Sequence, residues 1–190
     1  GLGDVYKRQD YELLGEFDND YTGSDFGSAG DVDGDGLDDL FVVRSDNGCG
    51  CSEGVYLLLA KHLGSEQLVE LASADAWIEL PISTDRSVVS GNGDLDGDGL
   101  ADLLVSSYGA KVFLGSQLAG GGVFTDDDAA LTLASTSNEL TWMSDLDGDG
   151  RTEVAMSHPS SVGQALIYLS TNLSGVTTRT AAQADVTLSG

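Results

Sequence analysis

Basic residues are scarce in this chain: 8 Lys+Arg stand against 32 Asp+Glu over 190 residues, a formal net charge of -24. A surface this anionic repels phosphate backbones and acidic headgroups, which excludes nucleic acid and anionic membrane surfaces as partners. Long apolar runs are missing too. The longest, Val55 to Ala60, falls far short of the roughly 20 residues of a spanning helix, so no membrane insertion is expected of this segment. Aromatics make up only 7%, yet the hydrophobic share of 41% is enough for a core, which rules out low-hydrophobicity disorder. Glycine is the contrast: 26 residues, about twice the usual share of about 7%, an excess that needs a structural reason.

Asp4-Val5-Tyr6-Lys7-Arg8-Gln9 is what a transposon end used in sequencing libraries encodes when translated, so residues 1–9 are expected to be a sequencing-adapter scar, with a native leader segment as the alternative. On that reading the sequence is a fragment, bacterial and metagenomic in origin, and the remaining 10–190 carry the structure.

Three segments superpose without gaps: Asp31-Val-Asp33-Gly-Asp35-Gly-Leu37-Asp38-Asp39, Asp94-Leu-Asp96-Gly-Asp98-Gly-Leu100-Ala-Asp102 and Asp145-Leu-Asp147-Gly-Asp149-Gly-Arg151-Thr-Glu153. Acids stand at positions 1, 3, 5 and 9 of each, and glycines at 4 and 6. Successive copies start 63 and 51 residues apart (31 to 94, 94 to 145). Matching the apolar runs that follow each copy puts the whole difference in connectors, as a repeated supersecondary unit requires. Those runs are Leu40–Val43, Leu103–Val105 and Val154–Met156, then Val55–Leu59, Val112–Leu114 and Ala165–Leu169, then Ala76–Leu80, Ala130–Leu133 and Asp185–Leu188. They have strand length and strand punctuation; only Ser65 to Ala76 has a helical aspect. A further strand leads into each acidic loop, around Phe26–Ala29, Ser87–Ser90 and Leu140–Ser144.

Four short strands per repeat is the unit of a β-propeller blade. The expected fold is therefore all-β and a partial propeller. Three four-stranded blades, at about 16–81, 82–135 and 136–190, are joined by one extra strand at Tyr11 to Gly15, which has the fourth-strand pattern. Closed propellers have four to eight blades, so three would leave sheet faces exposed.

Four carboxylates in nine residues repel one another unless a cation sits among them, and an oxygen-only donor set selects a hard ion, Ca²⁺ before the stricter Mg²⁺. The expected shells are Asp31, Asp33, Asp35, the Leu37 carbonyl and Asp39; Asp94, Asp96, Asp98, the Leu100 carbonyl and Asp102; and Asp145, Asp147, Asp149, the Arg151 carbonyl and Glu153. Position 6 glycine permits the turn that returns position 9 to the ion. An EF-hand loop would close with an acid at position 12 between helices. Here that position is Val42, Val105 and Met156, among strand formers.

These residues resemble FG-GAP repeats, the calcium-bearing blades of the integrin alpha-subunit amino-terminal propeller and of many bacterial surface proteins. Phe26-Gly27 followed by Gly30-Asp31 matches the motif's opening, and Ser157-His158-Pro159 takes the place of its Gly-Ala-Pro end. Val89-Ser90 and Leu140-Thr141 depart from Phe-Gly, Val43-Arg44-Ser45 and Ser106-Ser107-Tyr108 depart from Gly-Ala-Pro, and Glu153 replaces the usual Asp. The resemblance implies a seven-bladed propeller with calcium loops between first and second strands. It also implies an extracellular or cell-surface location and a role in adhesion or in recognising a protein or glycan.

The remaining motifs are weaker. Cys49 and Cys51 fit either a strained local disulfide or two loop thiols, and with His62 and His158 in other repeats they fall short of a zinc site. Trp77 and Trp142 read as packing residues, Gly120-Gly121-Gly122 as a flexible connector, His158 as a turn residue and Asn172-Leu173-Ser174 as a glycosylation pattern. No nucleophile elbow or phosphate-cradling loop is present, so the chain is not expected to be an enzyme. The alternative is an accessory or catalytic propeller of a secreted hydrolase or lyase whose active site lies outside this fragment.

Overall fold

The computed structural model describes residues 11–18, 20–45, 52–63, 68–81, 88–106, 109–134, 139–158 and 163–189; the adapter-like stretch and both cysteines lie outside them. β1 (Glu12–Leu14) comes first. The first repeat supplies β2 (Thr22–Gly30), β3 (Asp39–Arg44), β4 (Glu53–Leu58), β5 (Leu68–Glu70) and β6 (Ala76–Leu80). The second supplies β7 (Val89–Gly93), β8 (Asp102–Ser106), β9 (Ala110–Phe113), β10 (Gly122–Thr125) and β11 (Leu131–Ala134). The third supplies β12 (Leu140–Met143), β13 (Glu153–His158), β14 (Gln164–Tyr168), β15 (Thr178–Thr180) and β16 (Val186–Ser189).

The fold is all-β, with one α-helical turn at Gly115–Leu118 and a few 3-10 turns. In each repeat four strands form an antiparallel sheet in chain order: β2-β3-β4-β6, β7-β8-β9-β11 and β12-β13-β14-β16. None of the sheets closes into a barrel among the described residues.

The remaining strands, β5, β10 and β15, lie in the connector between the third and fourth main strands of their repeats. Each pairs in parallel with an outer strand that precedes it: β10 with β6, β15 with β11 and β5 with β1. β1 thus stands where a fourth strand stands. Four strands per repeat is therefore an undercount, and the glycine run is no flexible connector. Gly122 opens β10 and donates its N–H to the Asp75 carbonyl at 2.9 Å. A Cβ on Gly121 would lie 2.6 Å from that same oxygen. Ser65–Ala76 is not a helix over its described part, which holds β5, one 3-10 turn at Leu71–Ser73 and the first residue of β6. His158 ends β13 opposite Gln164 rather than filling a turn.

The apolar runs are continuous, not alternating, because the second sheet is covered on both faces. Leu103 and Val105 join a buried cluster with Phe41, Val43, Leu57 and Ile78 of the first sheet, while Leu104 joins another with Val154, Met156, Leu166 and Tyr168 of the third. Each such side chain contributes about 1.5–3 kcal/mol on leaving water. A third cluster, Val42, Tyr56, Leu58 and Leu71, packs against Leu13 and Val69 on the far face of the first sheet.

Both tryptophans are packing residues. Trp77 lies 4.5 Å from Tyr56 between ring centroids, with the buried Arg44 guanidinium carbon 4.4 Å from the indole centroid. Trp142 covers Gly93 and donates its indole N–H to the Ser90 carbonyl at 2.9 Å, tying the third sheet to the second. The first two sheets approach backbone to backbone at Gly91, where a Cβ would meet the Ser28 oxygen at 2.3 Å and the Ala29 Cα at 2.5 Å. Both obstacles are backbone and cannot rotate away. Gly91→Ala is expected to destabilise by about 1–3 kcal/mol, measured as a lower urea midpoint with an unchanged slope.

Candidate metal centres

Each acidic loop runs from the end of a first strand to the start of a second, and its shape follows from its position-1 aspartate. Asp31 Oδ1 accepts the Gly34 N–H at 2.7 Å and Oδ2 that of Gly36 at 2.9 Å. Asp94 binds Gly97 and Gly99 in the same way (2.7 and 3.1 Å), and Asp145 binds Gly148 and Gly150 (2.6 and 2.9 Å). The paired glycines bend the chain into reach of one carboxylate at φ between +76° and +89°, a region closed to most side chains. Position 5 plays a local part in all three loops: Asp35, Asp98 and Asp149 each accept the N–H of position 7 (Leu37, Leu100, Arg151) at 2.8 to 2.9 Å.

Three clusters of carboxylate oxygens, each within 4.8 Å of one another, could hold a metal ion: Asp31, Asp33 and Asp39; Asp94, Asp96 and Asp102; Asp145, Asp147, Asp149 and Glu153. Positions 1, 3 and 9 converge in every copy. Position 5 converges only in the third; Asp35 and Asp98 stand outside their clusters. Second strands begin at position 9 in all three repeats, so the segment after the loop is strand and not helix.

The position-9 acid is the buried member, with Asp39, Asp102 and Glu153 at 2%, 0% and 0% exposure. It is held from two sides. Asp39 accepts the N–H of Val32 at 2.9 Å and of Ala60 at 2.8 Å, and Asp102 those of Leu95 at 2.7 Å and Gly115 at 2.8 Å. Glu153 accepts the Leu146 N–H at 2.7 Å and, through its other oxygen, the Ser170 hydroxyl at 3.4 Å. An ionised carboxylate has about four lone-pair sites, so two remain for a cation. Burial pushes the Asp102 carboxyl up to about 7, against the pull of the Leu95 and Gly115 N–H groups and with reinforcement from Asp96 and Asp94. Burial likewise raises Asp39 and Glu153.

The residue two places after each third-strand run distinguishes the sites. In the first repeat it is Lys61, whose ammonium pairs with Asp33 and holds that carboxyl below its ordinary value. In the third it is Thr171, whose hydroxyl reaches Asp147 and Asp149 at 2.6 and 2.9 Å. Aligning the three repeats places these residues, with Ser116, in one column; only that alignment, extended past the acidic spacing, signals them.

The loops are also joined to one another. The N–H of Ala101, position 8 of the second loop, donates to the Asp31 carbonyl at 2.8 Å, and that of Thr152 donates to the Asp94 carbonyl at 3.0 Å. Across the same junctions the Leu100 and Arg151 side chains lie over Gly34 and Gly97.

No family model matches the chain, and no curated protein matches it.

The raised carboxyls set a pH dependence. An acid whose folded pKa exceeds its ordinary value favours the folded state while protonated, and that contribution declines as pH rises from about 4 through about 7. In chelator the protein is therefore expected to melt lower at about pH 8 than at about pH 5, and Asp102→Asn is expected to flatten that difference. Thermal scans at the two pH values measure it; a wild-type midpoint that rises over the interval contradicts it.

Proposed function

We propose that the chain is a calcium-braced propeller segment of FG-GAP type, which presents its loops as an extracellular scaffold for adhesion or for recognition of a protein or glycan. The observation that carries this reading is the threefold convergence of oxygen donors from positions 1, 3 and 9, where three or four carboxylates gathered together oppose folding unless their charge is offset. Asp31, Asp33 and Asp39 with their counterparts, and Asp149 in the third loop, would supply anionic oxygens. The carbonyls of Leu37, Leu100 and Arg151, and water, would complete a shell of the size calcium takes. All donors are oxygen, which argues against zinc or copper. Three filled sites change the formal charge from -24 to -18 (three times +2), easing the self-repulsion of the folded state. Repetition of one unit with variable connectors, on an all-β framework, suits a surface scaffold whose loops vary while its sheets do not.

Extracellular calcium modules bind near 10⁻⁴ to 10⁻³ M. For a site at the tight end, millimolar calcium stabilises the fold by about 1.4 kcal/mol. Asp96 tests this directly, because in the second loop its only backbone partner is the Asp98 N–H at 3.2 Å and its loss costs the metal-free fold little. Asp96→Ala is expected to remove one of three calcium equivalents in a calorimetric titration and to lower the melting temperature in calcium but not in chelator. A wild-type titration without heat or conformational change up to several millimolar overturns the calcium reading.

Lys61 supplies a second test. A resident ammonium on Asp33 competes with the ion, so Lys61→Met is expected to tighten the first of the three sites several-fold while leaving their number unchanged.

A further inference from the structure

The far face of the first sheet carries a cavity beside β10 whose lining the other two repeats do not reproduce. We propose that it binds one neutral sugar residue of a glycan. The proposal rests on the recognition role given above and places that role away from the acidic loops.

The cavity holds about 340 Å³, with Leu71, Ala72, Trp77 and Val123 as apolar walls and Glu16 and Arg44 side by side within it. Arg44, its side chain 6% exposed, is held from within the protein. Its Nε donates to the Ser52 carbonyl at 2.8 Å and Nη1 to the Tyr56 hydroxyl at 2.7 Å, which donates in turn to Glu16 Oε1 at 2.9 Å. Nη2 has no partner among the described residues, and Glu16 Oε2 has only the Arg44 Nη1, at 3.8 Å. Supporting contacts fix both groups. The buried Asp20 accepts the N–H groups of Phe17 and Thr22 at 3.2 and 3.0 Å, closing the turn that carries Glu16. Trp77 lies over Gly54, where a Cβ would stand 2.4 Å from the indole.

A buried guanidinium with open donors, a carboxylate with an open acceptor and an indole beside them specify the ligand. A pyranose has an apolar C–H face and, on its rim, hydroxyls that each accept one hydrogen bond and donate another. One such hydroxyl accepts from Arg44 Nη2 and donates to Glu16 Oε2, while the ring face lies against Trp77 and Val123. A free anion would meet Glu16 and a chain of net charge -24, and a free cation would meet Arg44; a neutral ligand meets neither repulsion. The volume is at the low end for small-molecule sites, which suits a single ring.

The register shows that the site belongs to the first repeat alone. Val42, at loop position 12, stands opposite Tyr56, and Tyr56 opposite Trp77. The same steps lead to Lys111 and Thr132 in the second sheet and to Leu166 and Thr187 in the third. In the second repeat a Lys111 to Asp126 ion pair at 2.9 Å takes the place of the aromatic pair. That repeat also shows what a neighbouring sheet covers. Asp127, Thr177 and Thr178 correspond there to Ala72, Gly122 and Val123, and all three are exposed although the first sheet packs on the second. A sheet packed on the far face of the first would leave this cavity open in the same way.

Calorimetric titration of the calcium-loaded chain with the methyl glycosides of glucose, galactose, mannose and N-acetylglucosamine is expected to show saturable, millimolar binding of at least one. Fluorescence of a Trp142→Phe variant, in which Trp77 is the only tryptophan, is expected to shift with the same sugar. Val123→Arg, at a 72% exposed residue, is expected to abolish both signals at an unchanged melting temperature, and Thr178→Arg, its counterpart in the second repeat, to change neither. Glu16→Gln is expected to weaken binding about tenfold. Silence toward all four sugars, undiminished binding in Val123→Arg, or tighter binding of glucuronate or of glutamine than of any neutral sugar overturns the proposal. Heat from calcium with silence toward sugars removes this proposal and leaves the calcium reading; sugar binding by a chain that takes up no calcium does the reverse.

Discussion

A carboxylate removed from water opens the second strand of every repeat, and the arrangement around it depends on how its two oxygens are satisfied. One accepts an N–H from position 2 of the acidic loop, the other an N–H or hydroxyl from the segment after the third strand. Loop, second strand and third-strand exit are thereby fixed to one point. An apolar side chain there would leave two buried donors unpaired, at about 1–3 kcal/mol each. The acid also carries a liability, because its neighbours at positions 1 and 3 are acids too. Backbone donors hold its shape, while its charge is what a cation held by the cluster would relieve.

The strands of the core were legible in the sequence because burial on both faces demands Val, Leu, Ile and Phe in unbroken runs, and the loops because one aspartate must reach two glycines at fixed distances. The connector strands were not. Leu68-Val69-Glu70, Gly122-Val123-Phe124-Thr125 and Thr178-Arg179-Thr180 share no side-chain pattern, since what they provide is a row of backbone hydrogen bonds along one edge, which any extended residue can make. The column of Lys61, Ser116 and Thr171 was hidden for the opposite reason: one place in the fold carries three different chemistries. Position 5 shows the limit of spacing alone. Asp35, Asp98 and Asp149 are equivalent in sequence, yet only Asp149, drawn by the Ser170 and Thr171 hydroxyls, joins its cluster.

Packing explains where the glycine excess goes. Some of it bends the loops, and some lets sheets approach at Gly91 and Gly93, where backbone or an indole ring occupies the space a side chain would need. The same residue type thus serves curvature in one place and proximity in another, and composition alone does not separate the two.

The backward reach of the connector strands bears on how the chain is made. Each repeat is fastened to the outer strand of the repeat before it, so every new unit leaving the ribosome meets a template that is already in place. If such an array folds from the amino terminus in step with translation, the edge each new connector strand meets is the fourth strand of the sheet just finished.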